Sequence, residues 1–251
     1  MSPGCIAIPG GSGGLGGAVA RRIARQAPVL LGYHAHRERA EKVARQIADD
    51  GGSARICQVD LRQPDSVDAF LANAQVDDCR LGGVISVSGA AFPMCALTDA
   101  THEEFREILE TEVFGTFNLL KAAVPLLAEN GGGPIVLFLT TAVLRTMDFD
   151  GMNSVPKAAI AMMMRHVARE AGPRSVRVNA IAPGVIDAGR TDIVHQLPPL
   201  VQQVVADCLA DTPLPRLGRP EEIAALAAHL VSEEGGYING QIIPVDGGYS
   251  A

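Results

Sequence analysis

The sequence is short of the features that mark several classes of protein. It has no tryptophan, and no apolar run reaches the roughly 18 residues of a membrane-spanning helix. Acidic residues (28) outnumber basic ones (21), and a net charge of −7 gives no general reason to bind nucleic acid or an anionic membrane. The five cysteines form no CxxC pair and no metal-ligand spacing, which favours a reducing compartment without a metal site. The first residues lack a signal-peptide pattern, so we expect a cytoplasmic protein.

What the sequence does contain is a regular alternation of short apolar runs and longer segments of helical period. Seven runs have the length and composition of strands: CIAIP, PVLLGY, ARICQV, GGVISV, PIVLFL, SVRVNAI and QIIPV. Apolar strands without polar alternation, separated by amphipathic segments, indicate a parallel sheet that helices cover on both faces. No repeat or linker divides the 251 residues. The sequence therefore predicts one α/β domain over residues 1–251, a doubly wound parallel sheet of about seven strands.

A glycine-rich stretch, PGGSGGLGG, follows the first predicted strand and precedes a helical segment. Its glycines can be read as GxGxxG, through Gly11, Gly13 and Gly16, or as GxxxGxG, through Gly10, Gly14 and Gly16. Glycines between a strand and a helix let the backbone approach a pyrophosphate at the helix N-terminus. This placement predicts a dinucleotide site at the start of the chain.

The end of the second strand indicates which dinucleotide is bound. An acidic residue there would hold the ribose 2′-hydroxyl of NAD, whereas this chain has Tyr33 followed by basic residues that include His34 and Arg37. Basic side chains suit a 2′-phosphate and favour NADP(H), although the segment could also be a solvated helix start with Glu38 turned inward. After the third strand, Asp60 either meets the adenine edge or caps a turn.

These motifs together resemble the short-chain dehydrogenase/reductase family over essentially the whole chain. The family's TGxxxGxG is similar to PGGSGGLG with Pro9 in place of threonine, and its aspartate after the third strand matches Asp60. VNAIAPGVI, residues 178–186, resembles the turn that frames the nicotinamide, and the tail from RLGRPEEI to PVDGG follows the family's C-terminal pattern. The resemblance implies a Rossmann-type fold, a nicotinamide cofactor and a homodimer or homotetramer. It implies cofactor contacts from Gly10, Ser12, Gly14, Leu15, Gly16, His34, Arg37, Asp60, Leu61, Ser88, Gly89, Lys157, Pro183, Gly184 and Ile186.

The catalytic positions depart from the family pattern. The family's active-site serine falls on Thr141, the tyrosine of its YxxxK motif falls on Asn153, and its helix asparagine falls on Glu112. Only the lysine is kept, so the resemblance implies a catalytic set of Lys157, Thr141, Asn153 and Glu112. The enoyl reductase spacing, with tyrosine seven residues before the lysine, meets Asp150 instead.

The missing tyrosine limits the chemistry that the site can perform. A positioned general acid contributes roughly 10²–10⁴ in rate, and asparagine can donate a hydrogen bond but cannot release a proton. We therefore expect an NADP(H)-dependent oxidoreductase whose acceptor becomes a stabilised anion, such as an activated carbonyl, quinone or enone of polyketide or aromatic type. Two alternatives stay open: a redox-neutral cyclase, dehydratase or isomerase on the same scaffold, and a non-catalytic cofactor-binding subunit.

Glu112 places a carboxylate where the family pattern has an asparagine. Its apolar neighbours in 113–117 suggest a largely buried helix, where a lone carboxylate is costly. It could pair with Lys157, act as a general acid with a raised pKa, or face solvent. Asp148 and Asp150, just before the lysine, are weaker candidates for the acid.

Two further segments bear on partners. The apolar AAIAMMM and FGTFNLLKAAVPLL stretches could form the subunit interface of such an oligomer or simply pack in the core. Residues 188–216 occupy the family's substrate-covering region, and their His195 and several apolar residues suggest a small, largely apolar substrate.

Overall fold

The computed structural model describes residues 4–76, 79–187 and 198–251. Its strands are β1 (Cys5–Pro9), β2 (Val29–Tyr33), β3 (Ala54–Gln58), β4 (Leu81–Ser86), β5 (Gly133–Phe138), β6 (Val176–Pro183) and β7 (Ile242–Val245). Its α-helices are α1 (Gly14–Ile23), α2 (Arg37–Asp49), α3 (Pro64–Ala72), α4 (His102–Leu109), α5 (Gly115–Glu129), α6 (Gly151–Ala171), α7 (Pro199–Ala210) and α8 (Pro220–Val231). A π-helical segment, Glu110–Phe114, joins α4 to α5.

The seven strands form one parallel sheet in the order β3-β2-β1-β4-β5-β6-β7. This confirms the predicted doubly wound fold, and each predicted strand is found. The chain builds outward from β1 in one direction as far as β3, then returns to lay β4 on the other side of β1. In such sheets the crevice at this reversal, beyond the carboxyl ends of the strands, is where ligands bind.

The apolar core is divided between the two faces of the sheet. On one face Phe70, Leu119 and Met164 bring α3, α5 and α6 against the strands, and each is fully buried. On the other face Val19 and Ile223 do the same for α1 and α8. Each such side chain contributes about 1.5–3 kcal/mol by leaving water. Helices on both faces explain why the strands lack polar alternation.

Two helical regions differ from the sequence pattern. The pattern predicts one helix over residues 102–130, but the π-helical segment interrupts it between α4 and α5. The wider turn leaves Glu112 buried, whereas Phe114 and Phe117 are 53% and 49% exposed, contrary to the expectation of a buried apolar stretch. Helix α7 is not among the helices that the pattern predicts. No helix among residues 4–76, 79–187 and 198–251 is long and apolar enough to cross a bilayer.

Candidate active site

A cavity of about 640 Å³ opens at the reversal point of the sheet. Its walls come from the segments that follow β1, β2, β3 and β4, and from the π-helical segment. It runs from the glycine loop to Glu112, so one cavity joins the predicted cofactor loop to one of the predicted catalytic residues. Of the predicted cofactor residues, those that line it are Gly10, Ser12, His34, Asp60, Leu61, Ser88 and Gly89.

The glycine loop has the tight conformation that only glycine allows. Gly10 has φ +79°, and a Cβ there would lie 2.6 Å from the backbone nitrogen of Ser88. A Cβ at Gly16 would lie 2.1 Å from the carbonyl oxygen of Gly10. Helix α1 begins at Gly14, and its N-cap residue Gly13 has no side chain to cap the first amides. The uncapped N-terminus of α1 and a loop backbone free of side chains would let a dinucleotide pyrophosphate bind close to the main-chain amides.

Charged groups surround the far end of the cavity, beyond β2 and β3. Tyr33 is buried where an acidic residue would hold a ribose, and His34 lies 3.6 Å from the Asp60 carboxylate through its Nε2. Arg62, which the sequence pattern does not single out, binds Asp60 at 2.7 Å. Its hydrogen bonds are the main cause that lowers the pKa of Asp60 to about 2. Asp60 also accepts the Arg62 backbone N–H at 3.0 Å, so it both shapes a turn and faces the cavity.

The predicted phosphate contact from Arg37 is not supported by the geometry. Its Nε donates to Glu41 at 2.9 Å, one turn along α2, and the side chain lies outside the cavity wall. Arg39 and His36 line the cavity instead. The first turn of α2 presents every side chain in a different direction, so spacing alone could not select the arginine that points inward.

The loop after β4 connects the cofactor end of the cavity to the ion pair. Ser88 and Gly89 line it, and the Ser86 and Ser88 hydroxyls lie 3.0 Å apart. A Cβ at Gly89 would meet Glu112 Oε1 at 3.6 Å, and the backbone N–H of Ala90 donates to that same oxygen at 2.5 Å. The loop is therefore fixed against the π-helical segment.

Glu112 and Lys157 form a buried ion pair. The Lys157 Nζ lies 2.8 Å from Glu112 Oε2, and both residues are less than a tenth exposed. The ammonium also donates to the Phe138 carbonyl at the end of β5, at 3.0 Å. Of the three possibilities for Glu112, the structure contains the pair. It holds the loop after β4, the π-helical segment and α6 together.

Thr141 is buried after β5, and its hydroxyl is engaged. It donates to Asp246 Oδ2 at 2.5 Å, across 105 residues of sequence. Burial alone would raise the pKa of Asp246, but hydrogen bonds from Ser250, Thr141 and the Gly248 N–H hold it below the usual value. The C-terminal segment therefore reaches the site and keeps Asp246 ionised, which the sequence did not reveal.

The remaining predicted cofactor residues lie around these groups. Leu15 is in the first turn of α1, beside the glycine loop. Pro183 ends β6, and Gly184 packs so closely on the C-terminal segment that a Cβ would lie 2.8 Å from the Asp246 Cα. Ile186 lines a second cavity of about 150 Å³, which Asp246 also borders.

Asn153 sits one turn before Lys157 at the start of α6. Its Nδ2 lies 3.3 Å from both carboxylate oxygens of Asp150. Asp150 is 4% exposed, and burial raises its pKa to about 6, although the Asn153 hydrogen bond opposes this rise. Asp150 is the N-cap residue of α6, yet its carboxylate accepts no backbone N–H from that helix. Asp148, the other acid candidate, is exposed.

Two predictions concern other parts of the chain. His195, with the rest of residues 188–197, lies outside the described residues. Within the described ranges, no group of three or more His, Cys, Asp or Glu side chains is placed to hold a metal ion.

Comparison with known proteins identifies the family. Residues 10–250 match a family model described as enoyl-(acyl carrier protein) reductase. The cis-4-hydroxycyclohexanecarboxylate dehydrogenase of Sinomonas cyclohexanicum is 33% identical over 245 residues, which cover 97% of this chain and 95% of that protein.

Solved structures agree with this match. A short-chain type dehydrogenase/reductase from Mycobacterium ulcerans superposes with a TM-score of 0.92 at 27% identity, covering 100% of this chain and 90% of the other. A 7α-hydroxysteroid dehydrogenase, solved with NADH and 7-oxo glycochenodeoxycholic acid, gives a TM-score of 0.89 at 28% identity, with 99% and 94% covered. The chain therefore belongs to the short-chain dehydrogenase/reductase family, a family of oxidoreductases that use a nicotinamide cofactor.

Proposed function

We propose that the protein is an NADP(H)-dependent oxidoreductase that acts without a catalytic tyrosine on an activated carbonyl, quinone or enone. The observation that carries this proposal is the pairing of Asn153 with Asp150 one turn before Lys157. The three tyrosines of the chain are elsewhere: Tyr33 in β2, Tyr237 fully exposed, and Tyr249 packed at the C-terminus.

The cofactor would be held by the glycine loop and the segments after β2, β3 and β4. When bound, it supplies the hydride and the two electrons of the reaction. The preference for NADP(H) rests on the basic side chains His34, His36 and Arg39 in the cavity wall, together with Tyr33 in place of an acidic residue. The Asp60 carboxylate lies beside His34, and Arg62 already offsets its charge. Basic groups stabilise a 2′-phosphate through charge-assisted hydrogen bonds.

The acceptor must tolerate a weak source of protons. An amide has two N–H donors, so Asn153 can donate one to Asp150 and the other to a substrate oxygen. It cannot release a proton to the strongly basic alkoxide that an ordinary ketone becomes. The Lys157 charge is already balanced by Glu112, and the Thr141 hydroxyl is directed at Asp246. Reduction of a quinone or enone gives a stabilised anion, which needs mainly positioning and electrostatic support.

The surroundings of the site favour an apolar acceptor. Met94 and Met147 pack against the apolar cluster of Val204, Cys208 and Tyr249. Leu97 and Phe149, on the loops before α4 and α6, are 44% and 40% exposed. Two of the similar proteins are named as dehydrogenases of a hydroxycyclohexanecarboxylate and of a 7α-hydroxysteroid. By analogy we propose a cyclic, largely apolar acceptor.

A second copy of the chain is the proposed protein partner. Phe114 and Phe117, with Val155 and Met162 on α6, leave four large apolar side chains between 40% and 53% exposed on neighbouring helices. Such a concentration of exposed apolar surface is typical of an interface. We propose that these helices form the contact of a homodimer or homotetramer in the cytoplasm.

The proposal is tested first by titrating the protein with NADPH and NADH and following nicotinamide fluorescence. Tight, NADPH-preferring binding is expected, followed by oxidation of the bound NADPH by quinones or cyclic enones. The Asn153→Ala variant should slow this oxidation by about 10²-fold, because one oxyanion donor is lost. Arg25→Ala is the control, because Arg25 is exposed and follows α1, near the amino ends of the strands and away from the cavity. Failure to bind either nucleotide, or equal rates in the Asn153 variant, would refute the proposal.

A redox-neutral reaction is the second candidate, and the closed Glu112–Lys157 pair favours it. A lysine that is already bound to a carboxylate and a carbonyl has less capacity to hold a cofactor ribose. Proton transfer without hydride transfer would then use the carboxyl groups of the site. Conversion of a cyclic enone or β-hydroxy ketone with no change in nicotinamide absorbance would identify this alternative.

A further inference from the structure

Two histidines lie at the end of the cavity where the 2′-phosphate is proposed to bind, called here the phosphate end. His34 and His36 follow β2, Arg39 lies in the first turn of α2, and all three line the cavity. All three are exposed, and the His34 side chain keeps 64% of its accessible surface. His36 is the N-cap residue of α2, yet its side chain makes no capping hydrogen bond. A ligand in the cavity can therefore contact both imidazoles.

The other charged groups of the phosphate end come from three elements. Arg39 belongs to α2, Asp60 and Arg62 follow β3, and Glu104 and Glu107 belong to α4. The Asp60 carboxylate lies 3.6 Å from His34 Nε2, but Arg62 also binds it, at 2.7 Å. Hydrogen bonding to Asp60 and, to a smaller extent, the charge of Glu107 raise the pKa of Arg62. These groups therefore form one electrostatic cluster around the histidines.

The sign of the charge in this cluster depends on the two histidines. Carboxylate and guanidinium groups keep their charges between about pH 6.5 and 8.5, and phenols such as the Tyr33 side chain are neutral there. Three carboxylates and two guanidinium groups leave one net negative charge when both imidazoles are neutral. Protonation of both imidazoles changes this to one net positive charge. A 2′-phosphate carries almost two negative charges at neutral pH, so it is repelled in the first state and attracted in the second.

We infer that His34 and His36 make the cofactor preference of this site depend on pH, so that NADPH is favoured while the imidazoles are protonated and loses its advantage as they become neutral. The inference rests on the proposed binding of NADP(H). Histidine is the side chain that ordinarily changes its charge between pH 5 and 8. A bound phosphate stabilises the imidazolium form, so NADPH binding takes up protons and its affinity falls as pH rises. NADH has a hydroxyl in place of the phosphate, and its affinity should change little over the same range.

The direction of this effect separates it from the titration of the phosphate itself. A phosphate monoester acquires its second negative charge near pH 6. Its own titration would therefore strengthen binding to a basic site as pH rises above about 6.5. Deprotonation of the histidines acts in the opposite direction. A fall in NADPH affinity with rising pH thus reports the histidines and not the ligand.

The test is a fluorescence titration with NADPH and with NADH at several pH values from about 6.5 to 8.5, at constant ionic strength. In the wild type the Kd for NADPH should rise about tenfold over this range, whereas the Kd for NADH should change little. The double variant His34→Lys, His36→Lys has fixed positive charges on two exposed positions, so it should bind NADPH equally well throughout. His166→Gln is the matched control, because His166 is exposed on α6 outside the cavity wall. It should keep the wild-type pH dependence.

Calorimetry in two buffers of different ionisation enthalpy measures the protons directly. At about pH 7.5, NADP⁺ should bind the wild type with net proton uptake and the double variant without it, and NAD⁺ should bind both without it. Preferred NADPH binding that is equally tight at both ends of the pH range would overturn the inference and leave the proposed cofactor standing. An unchanged pH dependence in the double variant would also overturn it. If the wild type binds neither nucleotide, or prefers NADH at every pH, the proposed cofactor fails and the inference fails with it.

Discussion

The free energy of unfolding should depend on pH through Asp150. Burial raises the pKa of this carboxyl from 3.8 to about 6, so between these values the folded chain holds a proton that the unfolded chain releases. The stabilising effect is fully present below about pH 4 and is lost as pH rises through about 6. Two pKa units correspond to about 3 kcal/mol. Above about pH 6, the wild type therefore carries this cost of an ionised, buried carboxylate.

Asp150→Asn removes the titration and keeps an oxygen that can accept from Asn153. Its unfolding free energy relative to the wild type should rise by about 3 kcal/mol between about pH 4 and pH 8. A change in packing caused by the substitution has the same energy at both pH values and therefore cancels in this difference. Urea unfolding at equal protein concentration measures it, with Asp148→Asn as the exposed control. If Asp150→Asn and wild type respond alike to pH, Asp150 ionises as an exposed carboxyl would, and the argument from burial is wrong.

Three further outcomes are expected. Lys157→Ala leaves the Glu112 carboxylate buried without its cation and should lower the unfolding free energy by about 3–5 kcal/mol. The double variant Lys157→Met, Glu112→Gln should restore most of this free energy. A Lys157→Ala variant as stable as the wild type would contradict the ion pair. Arg39→Ala should weaken NADPH binding about tenfold and leave NADH binding unchanged, as measured by fluorescence titration. Arg37→Ala should change the affinity for neither cofactor. If both variants weaken NADPH binding equally, the choice of Arg39 is wrong. Phe117→Asp should convert the oligomer to monomers by light scattering, a test that fails if the wild type is already monomeric.

The sequence predicted the sheet well because the signal is local and redundant. Each strand is an apolar run bounded by turns, and the amphipathic helices between the strands bury their apolar faces against the same sheet. The glycine loop was equally readable, because the conformation of Gly10 and the close approach at Gly16 leave no space for a Cβ. A conformation that only glycine can adopt can be predicted from the glycine itself.

The environment of the site was harder to predict, because it depends on contacts between distant segments. Thr141 meets Asp246 across 105 residues, and the basic pattern favours Arg37 over Arg39 although both lie in the same turn of α2. Asp150 ranks below Glu112 as an acid on sequence alone, because its neighbours in the chain give no sign of burial. Its 4% exposure arises from packing at the start of α6, which no periodicity of the chain encodes.

Three of the predicted catalytic residues share a property that bears on the proposed chemistry. Thr141, Asn153 and Glu112 each have a partner inside the site: Asp246, Asp150 and Lys157 respectively. No buried side-chain nitrogen or oxygen in the described part of the chain lacks a hydrogen-bond partner. An unpaired atom of this kind would cost about 1–3 kcal/mol. Each of the three side chains is therefore fixed in orientation by its partner, so a substitution of Asp246, Asp150 or Lys157 should disturb the residue that it holds.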